Sequence, residues 1–374
     1  MKICHLTSAH PYKDTRIFLK ECRSLSKSGY AVHLIAPSAP NEKINGIDVH
    51  GVEKEAGGRF KRMTKTVNDV YKKAVDINAE IYHFHDPELI PVGLKLKRAG
   101  KKVIYDVHED VPRQILSKHW IRKGIRRSIS WSFEQYENHA AKKFDGVVTA
   151  TPFINERFSK LGCHAVNVNN YPLIDELQLK VKSWEKKQHA VCYVGGIGKI
   201  RGIHEMVEAI KKVDGKLLLA GAFANKEDEH KAIRKEGWEK VDFLGYLDRE
   251  GIREVFQQSV AGLVVLHPTA NYIDALPVKM FEYMAAGIPV IASNFPLWNE
   301  IIEENQCGIC VDPLEPKKIA NAIQFFIKNP VEAKRMGQNG RLAIKEKYNW
   351  ETENMKLLQL YNQIESTNDG SRER

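Results

Sequence analysis

The sequence predicts an α/β protein made of two parallel-sheet domains that face each other across a cleft. Three observations predict it: 374 residues suffice for two domains, short apolar runs alternate with helix-like segments, and the alternation breaks once near the middle. The apolar runs expected to form strands cover 1–9, 31–38, 81–85, 101–109, 145–151, 190–196, 216–222, 241–246, 261–268, 288–293 and 307–313.

The helices and the domain boundary follow from the same pattern. The segment 16–29 carries apolar residues at helical spacing and ends in Gly29, a typical helix stop. The stretch 171–188 is polar and charged, which is typical of a linker. We therefore expect two Rossmann-like domains, at 1–172 and 173–351.

Cysteine usage favours a cytoplasmic protein. The six cysteines are scattered, and most stand in apolar, strand-like contexts, as buried thiols do in a reducing compartment. Cys307 and Cys310 form a C-x-x-C pair, but no second pair is present to complete a zinc site. The start of the chain is too polar for a signal peptide, and no run reaches the roughly 18 apolar residues of a membrane span.

The net charge of +10 lies wholly in the first half of the chain. Residues 1–180 contain 30 basic and 20 acidic side chains, whereas 181–374 contain 27 of each. The excess concentrates in 111–133, which has no acids and mixes basic with apolar residues. This pattern is typical of contact with an anionic membrane surface, although a solvated helix packed on its own domain, or another polyanion, also explains it. The predicted membrane-contact residues are Trp120, Arg122, Lys123, Arg126, Arg127 and Trp131.

A glycine-rich turn after the first strand of the second half predicts an anion site. The segment "GGIGKIR" nearly matches the dinucleotide pattern G-x-G-x-x-G, with Gly196 and Gly198 in place and Arg201 where the third glycine belongs. Glycines let the backbone approach an oxyanion closely, and Arg201 adds a cation at the start of a helix.

The stretch "DALPVKMFE" predicts the rest of a sugar-nucleotide site. We expect a helix to start at Leu276-Pro277, where unpaired backbone N–H groups suit a phosphate. Lys279 adds a cation, Glu282 can accept hydrogen bonds from ribose hydroxyls, and Asp274 can accept them from the donor sugar. The donor-binding residues are thus Gly195, Gly196, Arg201, Asp274, Ala275, Leu276, Pro277, Lys279 and Glu282.

Together these residues resemble the retaining glycosyltransferases of family four, which have the GT-B fold and include bacterial surface-polysaccharide enzymes. The family carries Glu-x7-Glu; here Asp274 and Glu282 have that spacing, and "FEYMAAGIPVIAS" follows as in the family. Two departures are the aspartate at the first acid and Gly196 where the family usually has arginine, which passes the cationic role to Arg201. The likeness covers nearly the whole chain and implies that the closing segment, 352–374, crosses back onto the first domain.

The resemblance also implies roles outside these two motifs. His108 takes the place of a histidine near the donor sugar, and Tyr246 borders the base. The residues implied to bind the acceptor are His10, Asp14, Arg16, His85 and Asp86.

The implied reaction is a retaining transfer of a sugar from a nucleotide-diphosphate sugar, UDP favoured over GDP, to an acceptor hydroxyl. Arg201, Lys279 and the helix N-terminus would stabilise the leaving diphosphate where other enzymes use Mg²⁺, so neither a metal nor a cofactor is expected. Asp274 and His108 complete the expected catalytic set.

The membrane interpretation implies a lipid-linked glycan acceptor, a role in cell-surface polysaccharide biosynthesis, and a place on the inner face of the cytoplasmic membrane. Two alternatives stay open, a GT-B nucleotide-sugar epimerase and a non-enzymatic nucleic-acid binder. The second leaves the donor residues unexplained, because the basic stretch lacks aromatic stacking motifs; we therefore expect no nucleic-acid partner.

Overall fold

The computed structural model describes residues 1–53, 62–118, 121–174, 184 and 187–369. It divides the chain into two compact units, one formed by Met1–Asn170 with Glu351–Arg374 and the other by Tyr171–Trp350. The last helix, which begins at Trp350, therefore belongs to the unit in which the chain starts.

The first unit is built on an eight-stranded sheet with the order β3-β4-β2-β1-β5-β6-β7-β8. All its strand pairs are parallel except β3 with β4. Ile3 pairs with Val32 on one side and Ile81 on the other, which places β1 inside the sheet. The strands are β1 (Lys2–Leu6), β2 (Ala31–Pro37), β3 (Glu42–Ile44), β4 (Ile47–Val52), β5 (Ile81–Phe84), β6 (Lys102–Val107), β7 (Gly146–Thr149) and β8 (Ala165–Asn167).

The second unit is built on a six-stranded, fully parallel sheet with the order β11-β10-β9-β12-β13-β14. The strand order reverses direction at β9, so β9 and β12 flank the point where ligands of parallel sheets bind. The strands are β9 (Ala190–Val194), β10 (Lys216–Ala220), β11 (Val241–Gly245), β12 (Ala261–Val264), β13 (Val290–Ser293) and β14 (Gly308–Val311).

Helices follow most strands, as parallel connections require. The first unit holds α1 (Arg23–Lys27), α2 (Val67–Ile77), α3 (Ile90–Arg98), α4 (Val111–Ser117), α5 (Lys123–Ala141), α6 (Pro152–Lys160) and the closing α14 (Trp350–Asp369). The second holds α7 (Ile203–Ile210), α8 (Lys226–Ile233), α9 (Arg249–Gln258), α10 (Val278–Ala286), α11 (Pro296–Glu304), α12 (Pro316–Lys328) and α13 (Pro330–Glu346). Within the described ranges, no helix is both long and apolar enough to cross a membrane.

The predicted α/β class with two parallel-sheet domains is confirmed, and all eleven apolar runs contain strands. Three further strands, β3, β4 and β8, escaped prediction. They lie at or next to a sheet edge and carry residues that are partly exposed, and β3 and β8 have only three residues each. The predicted helix at 16–29 begins as a π-helical segment, Thr15–Cys22, before it becomes α1.

Candidate functional site

The glycine turn after β9 is folded around Arg201. One guanidinium nitrogen, Nη1, donates to the Gly196 carbonyl at 3.1 Å, and the Tyr193 hydroxyl donates to the same oxygen at 2.7 Å. A Cβ at Gly196 would lie 2.3 Å from Nη1, so only glycine leaves room for this contact. Gly195 has a φ of +129° and its amide continues the β9–β10 pairing by donating to Ala220.

Gly202 takes the place of the third glycine of the G-x-G-x-x-G pattern, which the chain lacks at position 201. Its φ is +78°, it forms the N-cap of α7, and a Cβ there would lie 2.2 Å from the Val265 carbonyl oxygen. The close approach of helix and strand is therefore preserved one residue later than the fingerprint requires. The extra residue frees position 201 to carry a cation.

Lys279 places a buried ammonium group in this turn. Its Nζ lies 3.7 Å from the centre of the Tyr193 ring, and a Cβ at Gly195 would be 3.1 Å from it. Among the residues that the structure describes, no acceptor bonds this buried atom. Burial, assisted by the nearby charge of Arg201, lowers the pKa of Lys279 to about 7. Two cations thus converge on one glycine turn, an arrangement that favours an anionic ligand.

The loop that carries Asp274 is anchored beside these cations. Trp298, a fully buried side chain of α11, donates its indole N–H to the Ala275 carbonyl at 2.6 Å. Tyr272 interacts with Arg201 and so ties the loop to the glycine turn. Asp274 itself is partly buried and lies in the same turn as Tyr272.

The helix after this loop starts slightly later than predicted. Helix α10 begins at Val278, and Pro277 is its N-cap with extended backbone angles, not a residue of the first turn. Leu276 and Ala275 lie ahead of the helix in irregular backbone. The first amides of α10 nevertheless remain available to a ligand, because the cap provides no side-chain acceptor.

Glu282 has a partner that the sequence did not predict. Arg249, at the start of α9, holds Nη1 at 2.7 Å from Glu282 Oε1, and the Glu282 side chain is 12% exposed. The two residues are 33 positions apart, and no motif links them. The predicted ribose ligand is thus a carboxylate oriented by a neighbouring guanidinium. Tyr246 lies just beyond β11, 87% exposed.

In the first unit, the predicted polar residues form a compact network around Asp106. Arg16 binds both oxygens of this fully buried carboxylate, each at 2.9 Å, while His108 Nε2 lies 2.9 Å and His85 Nδ1 3.1 Å from Oδ2. Arg16 also donates to the Val168 carbonyl and is only 3% exposed. The Arg16 guanidinium is thus engaged beneath the surface, and a contact of Arg16 with the acceptor stays a prediction.

A second set of predicted acceptor residues surrounds His10, whose side chain is one-third exposed. His10 Nδ1 lies 3.3 Å from Asp14 and Nε2 lies 3.5 Å from Asp86, and the rings of His10 and His108 are 5.1 Å apart. Burial opposes protonation, but the hydrogen bond to Asp14 and the charges of Asp86 and Asp14 raise the pKa of His10 above its ordinary value. Asp86 is nearly buried and accepts from Thr7, Ser8 and Ala9.

The Asp106 network also has the composition of a metal site. Glu21, His83, His85 and Asp106 each offer a ligand atom, all within 4.8 Å of one another. Arg16, however, already supplies the cation, because its Nε lies 3.0 Å from Glu21 as well as binding Asp106. Burial and the charge of Asp106 raise the pKa of Glu21 well above its usual range, which favours a neutral carboxyl group there. The guanidinium of Arg16 thus supplies the positive charge that a metal ion would bring to these carboxylates.

Some of the predicted membrane-contact side chains are exposed, and one of them donates hydrogen bonds to the backbone. On α5 and just before it, Arg122 and Arg127 are exposed, Trp131 is 64% exposed, and Ile125 is 50% exposed. Arg126 instead donates to the carbonyls of Ile121 and Leu116. Trp120 and the side chain of Lys123 lie outside the described residues.

Comparisons with known proteins cover both units. The family model described as "Glycosyltransferase Family 4" matches residues 16–169, and the model described as "Glycosyl transferases group 1" matches residues 175–343. An uncharacterized glycosyltransferase of Methanocaldococcus jannaschii is 21% identical over 96% of this chain and 98% of its own length. An alpha-D-kanosaminyltransferase of Streptomyces kanamyceticus is 26% identical over 46% of this chain and 45% of its own length, so the match spans under half of that relative.

Solved structures share the fold over almost the full length. The sucrose-phosphate synthase of Thermosynechococcus elongatus superposes with a TM-score of 0.76 at 18% identity, covering 98% of this chain and 99% of that one. Anabaena HepE, solved in complex with UDP, gives a TM-score of 0.73 at 16% identity over 97% of this chain and 100% of that one.

Proposed function

This chain belongs to the GT-B glycosyltransferases of family four, and on that basis we propose that it moves a sugar from a nucleotide-diphosphate sugar to an acceptor hydroxyl with retention of configuration. The observation that carries the proposal is the ammonium of Lys279, which is buried beside Arg201 at a glycine turn and bonds no acceptor among the described residues. Burying a cation without a hydrogen-bond acceptor costs desolvation free energy, and such groups cluster at binding sites, where a ligand supplies the acceptor. A diphosphate is the anion that matches two cations and the open N-terminus of α10.

The chemistry is that of leaving-group stabilisation. As the bond between the sugar and the diphosphate breaks, negative charge grows on the phosphate oxygens, and Lys279, Arg201 and the α10 amides would be in place before it develops. This arrangement supplies the electrostatic role of a divalent cation, and we propose that no metal is needed. Asp274 would hold the sugar hydroxyls and Glu282 those of the ribose.

For the donor we propose a UDP-sugar. HepE, which shares the fold, has been solved with UDP and with UDP-glucose. The expectation that His108 lies near the donor sugar stays a prediction. The expectation that His10 and Asp14 contact the acceptor stays a prediction, and both side chains are partly exposed.

For the acceptor we propose a lipid-linked glycan at the inner face of the cytoplasmic membrane, in cell-surface polysaccharide biosynthesis. Arg122, Arg127 and Trp131 would contact anionic headgroups, since exposed cations and an exposed tryptophan share one helical region. The exposed Ile125 and Ile129 add apolar area to the same helix.

The test of the proposed function is a thermal-shift series with nucleotides and nucleotide sugars, each with and without EDTA. A ligand that binds only the folded protein raises Tm by mass action. We expect UDP and UDP-sugars to raise Tm regardless of EDTA, with release of UDP only when a glycan acceptor is added. Release of free UDP without an acceptor would instead favour the epimerase, and stabilisation by DNA alone would contradict a donor site.

Donor binding should take up a proton. The pKa of Lys279 is about 7 in the free protein, and a diphosphate against the ammonium raises it. Affinity should therefore be constant below pH 7 and fall by up to tenfold per pH unit above it, until the pKa of the complex is reached. Calorimetry with a UDP-sugar in buffers of different ionisation enthalpy measures the uptake directly. Lys279→Met should abolish it, and uptake that persists in this variant would assign the proton to another group.

The membrane contact predicts a charge-dependent association with vesicles. Each cation near an anionic surface contributes about 1 kcal/mol, so Arg122→Gln with Arg127→Gln should weaken binding to anionic vesicles roughly thirtyfold. Co-sedimentation with phosphatidylglycerol and phosphatidylcholine vesicles measures the effect. Lys43→Gln with Lys160→Gln, whose side chains are 63% and 73% exposed, is the control with the same loss of charge and should bind normally. If both variants lose the same amount of vesicle binding, the net charge of the protein, and not the position of Arg122 and Arg127, determines the association.

A further inference from the structure

The glycine turn that follows β9 is held from outside by a side chain of α8. Asp228 Oδ2 accepts from the Lys199 amide at 2.9 Å, and Lys199 begins a short 3₁₀ turn that ends at Arg201. The same oxygen would lie 3.4 Å from a Cβ at Gly198, so the carboxylate packs directly against the turn. The bond joins residues that are 29 positions apart, and both belong to the second unit.

Alternate backbone amides of this turn are bonded. The amides of Gly195 and Ile197 donate, each at 2.9 Å, to carbonyls at the end of β10 and just beyond it, which continues the pairing of β9 with β10. The Lys199 amide is the third in this series, and its acceptor is a side chain instead of a strand. Among the described residues, the amides of Gly196 and Gly198 donate to no acceptor. Because N–H groups alternate in direction along an extended chain, the bonded amides fix the direction of these two.

Asp228 is an ionised acceptor for the Lys199 amide. Burial opposes its ionisation, but the bonds from the Lys199 amide and the Asn225 side chain hold the pKa of Asp228 below its ordinary value. Hydrogen bonds to an ionised acceptor are stronger than those between neutral groups. The carboxylate is therefore well suited to fix the position of the turn.

Asp228 also takes part in capping its own helix. Asn225, the N-cap of α8, accepts from the Asp228 amide at 2.8 Å, and Asn225 Nδ2 donates to Asp228 Oδ2 at 3.0 Å. Such reciprocal bonds stabilise the start of a helix. The bond to the Lys199 amide lies outside this pattern, because Lys199 stands ahead of a different helix, α7.

We propose that Asp228 is a positioning residue for the leaving diphosphate: it fixes the Lys199 amide and thereby holds the glycine turn in the conformation that presents Arg201 to the anion. This inference rests on the proposed function, which makes the turn a diphosphate site. Asp228 is itself an anion and acts only through the backbone of the turn. The Arg201 amide donates to the Gly198 carbonyl at 3.0 Å, so loosening the turn at Lys199 should also displace Arg201.

The first experiment reads the bond itself. Hydrogen exchange at the Lys199 amide is followed by NMR in the full chain without ligand. We expect slow exchange in the wild type and in Asn225→Ala, and exchange about tenfold faster or more in Asp228→Ala. Fast exchange in the wild type, or equal rates in the wild type and Asp228→Ala, would overturn the proposal, whatever the protein binds.

The second experiment reads the contribution of the phosphates. Calorimetry with UDP and with uridine gives the preference for the diphosphate in the wild type and in each variant. We expect Asp228→Ala to lower this preference and kcat about tenfold or more each, because the variant loses a bond to a charged acceptor. Asn225→Ala is the matched control, which should lower Tm through the lost cap and keep the preference.

The outcomes of this comparison are distinct. An unchanged preference in Asp228→Ala, or equal losses in Asp228→Ala and Asn225→Ala, would assign the carboxylate to the helix cap and overturn the proposal. A wild-type chain that binds uridine as tightly as UDP would instead refute the proposed function.

Two conservative variants cover the case in which Asp228→Ala does not fold. Glutamate at the third position of a helix suits its start, so Asp228→Glu keeps the cap and the charge, but the longer side chain displaces the carboxylate from the Lys199 amide. Asp228→Asn keeps an acceptor oxygen at the original reach. We expect the preference for UDP to fall roughly fivefold in Asp228→Glu and to stay within about threefold of the wild type in Asp228→Asn. An unchanged preference in Asp228→Glu would overturn the proposal.

Discussion

Replacing Lys279 with methionine should lower kcat about 10²-fold to 10³-fold and leave the protein at least as stable as before. The first effect follows because a preorganised charge at a developing anion contributes about 3–4 kcal/mol to the barrier. The second follows because the buried ammonium has no acceptor among the described residues, so removing it relieves a desolvation cost. Methionine is unbranched and can keep the packing against Tyr193.

The measurement is kcat and KM for the UDP-sugar together with Tm in the absence of ligand. If Lys279 is a catalytic cation, its replacement should lower kcat while Tm stays unchanged or rises. Lys187→Met is the matched control, because Lys187 is also a partly buried lysine of the second unit, but its ammonium donates to the carbonyls of Phe256, Gln257 and Ser259. That variant should lose stability and keep its kcat once folded. A fall in Tm with normal transfer for Lys279→Met would assign Lys279 to the fold.

Much of the fold was predictable because buried strands consist of consecutive apolar residues, which are visible in the sequence. Each of the eleven apolar runs contains a strand, and in all but β11 and β14 that strand is largely buried. Parallel strands covered on both faces read as continuous apolar segments. The strands β3 and β8 lack such a segment, since their residues are intermediate or exposed and their pairing is decided by neighbouring strands. The position of Gly202 shows the same limit: a glycine one residue out of register still provides the close contact with Val265.

The candidate site was predictable where its residues are close in sequence. Gly195, Gly196 and Arg201 come together in one turn, as predicted. Partners distant in the chain were not predictable: Arg249 reaches Glu282 across 33 residues.

The buried polar network was hidden for a related reason. His5 and His83 lie inside strands, where their apolar neighbours suggested ordinary core positions, and Tyr361 reaches them from the last helix. Arg16 was placed at an acceptor because its loop matched the family, and its inward contact with Asp106 was not predicted.

Replacing Glu282 with alanine should remove recognition of the ribose and with it detectable transfer. A carboxylate that accepts from the two ribose hydroxyls makes charge-assisted hydrogen bonds of about 1.5–3 kcal/mol, so UDP affinity should fall roughly tenfold to hundredfold. The loss is larger for alanine than for glutamine, because alanine also removes the acceptor that Arg249 Nη1 bonds at 2.7 Å. Glutamine keeps the shape of glutamate and one acceptor oxygen, so comparing it with alanine separates the effect of losing the charge from that of losing the side-chain volume.

The comparison that tests this assignment changes the ligand as well as the protein, as a double-mutant cycle changes two residues. Calorimetry with UDP and with its 2′,3′-dideoxy analogue gives the contribution of the ribose hydroxyls in the wild-type chain and in each variant. We expect the wild type to prefer UDP tenfold or more and Glu282→Ala to bind both ligands equally weakly. Arg249→Gln, which frees the carboxylate without removing it, should keep the preference for UDP. An undiminished preference in Glu282→Ala would place the ribose elsewhere and make the Arg249–Glu282 pair a structural link between α9 and α10.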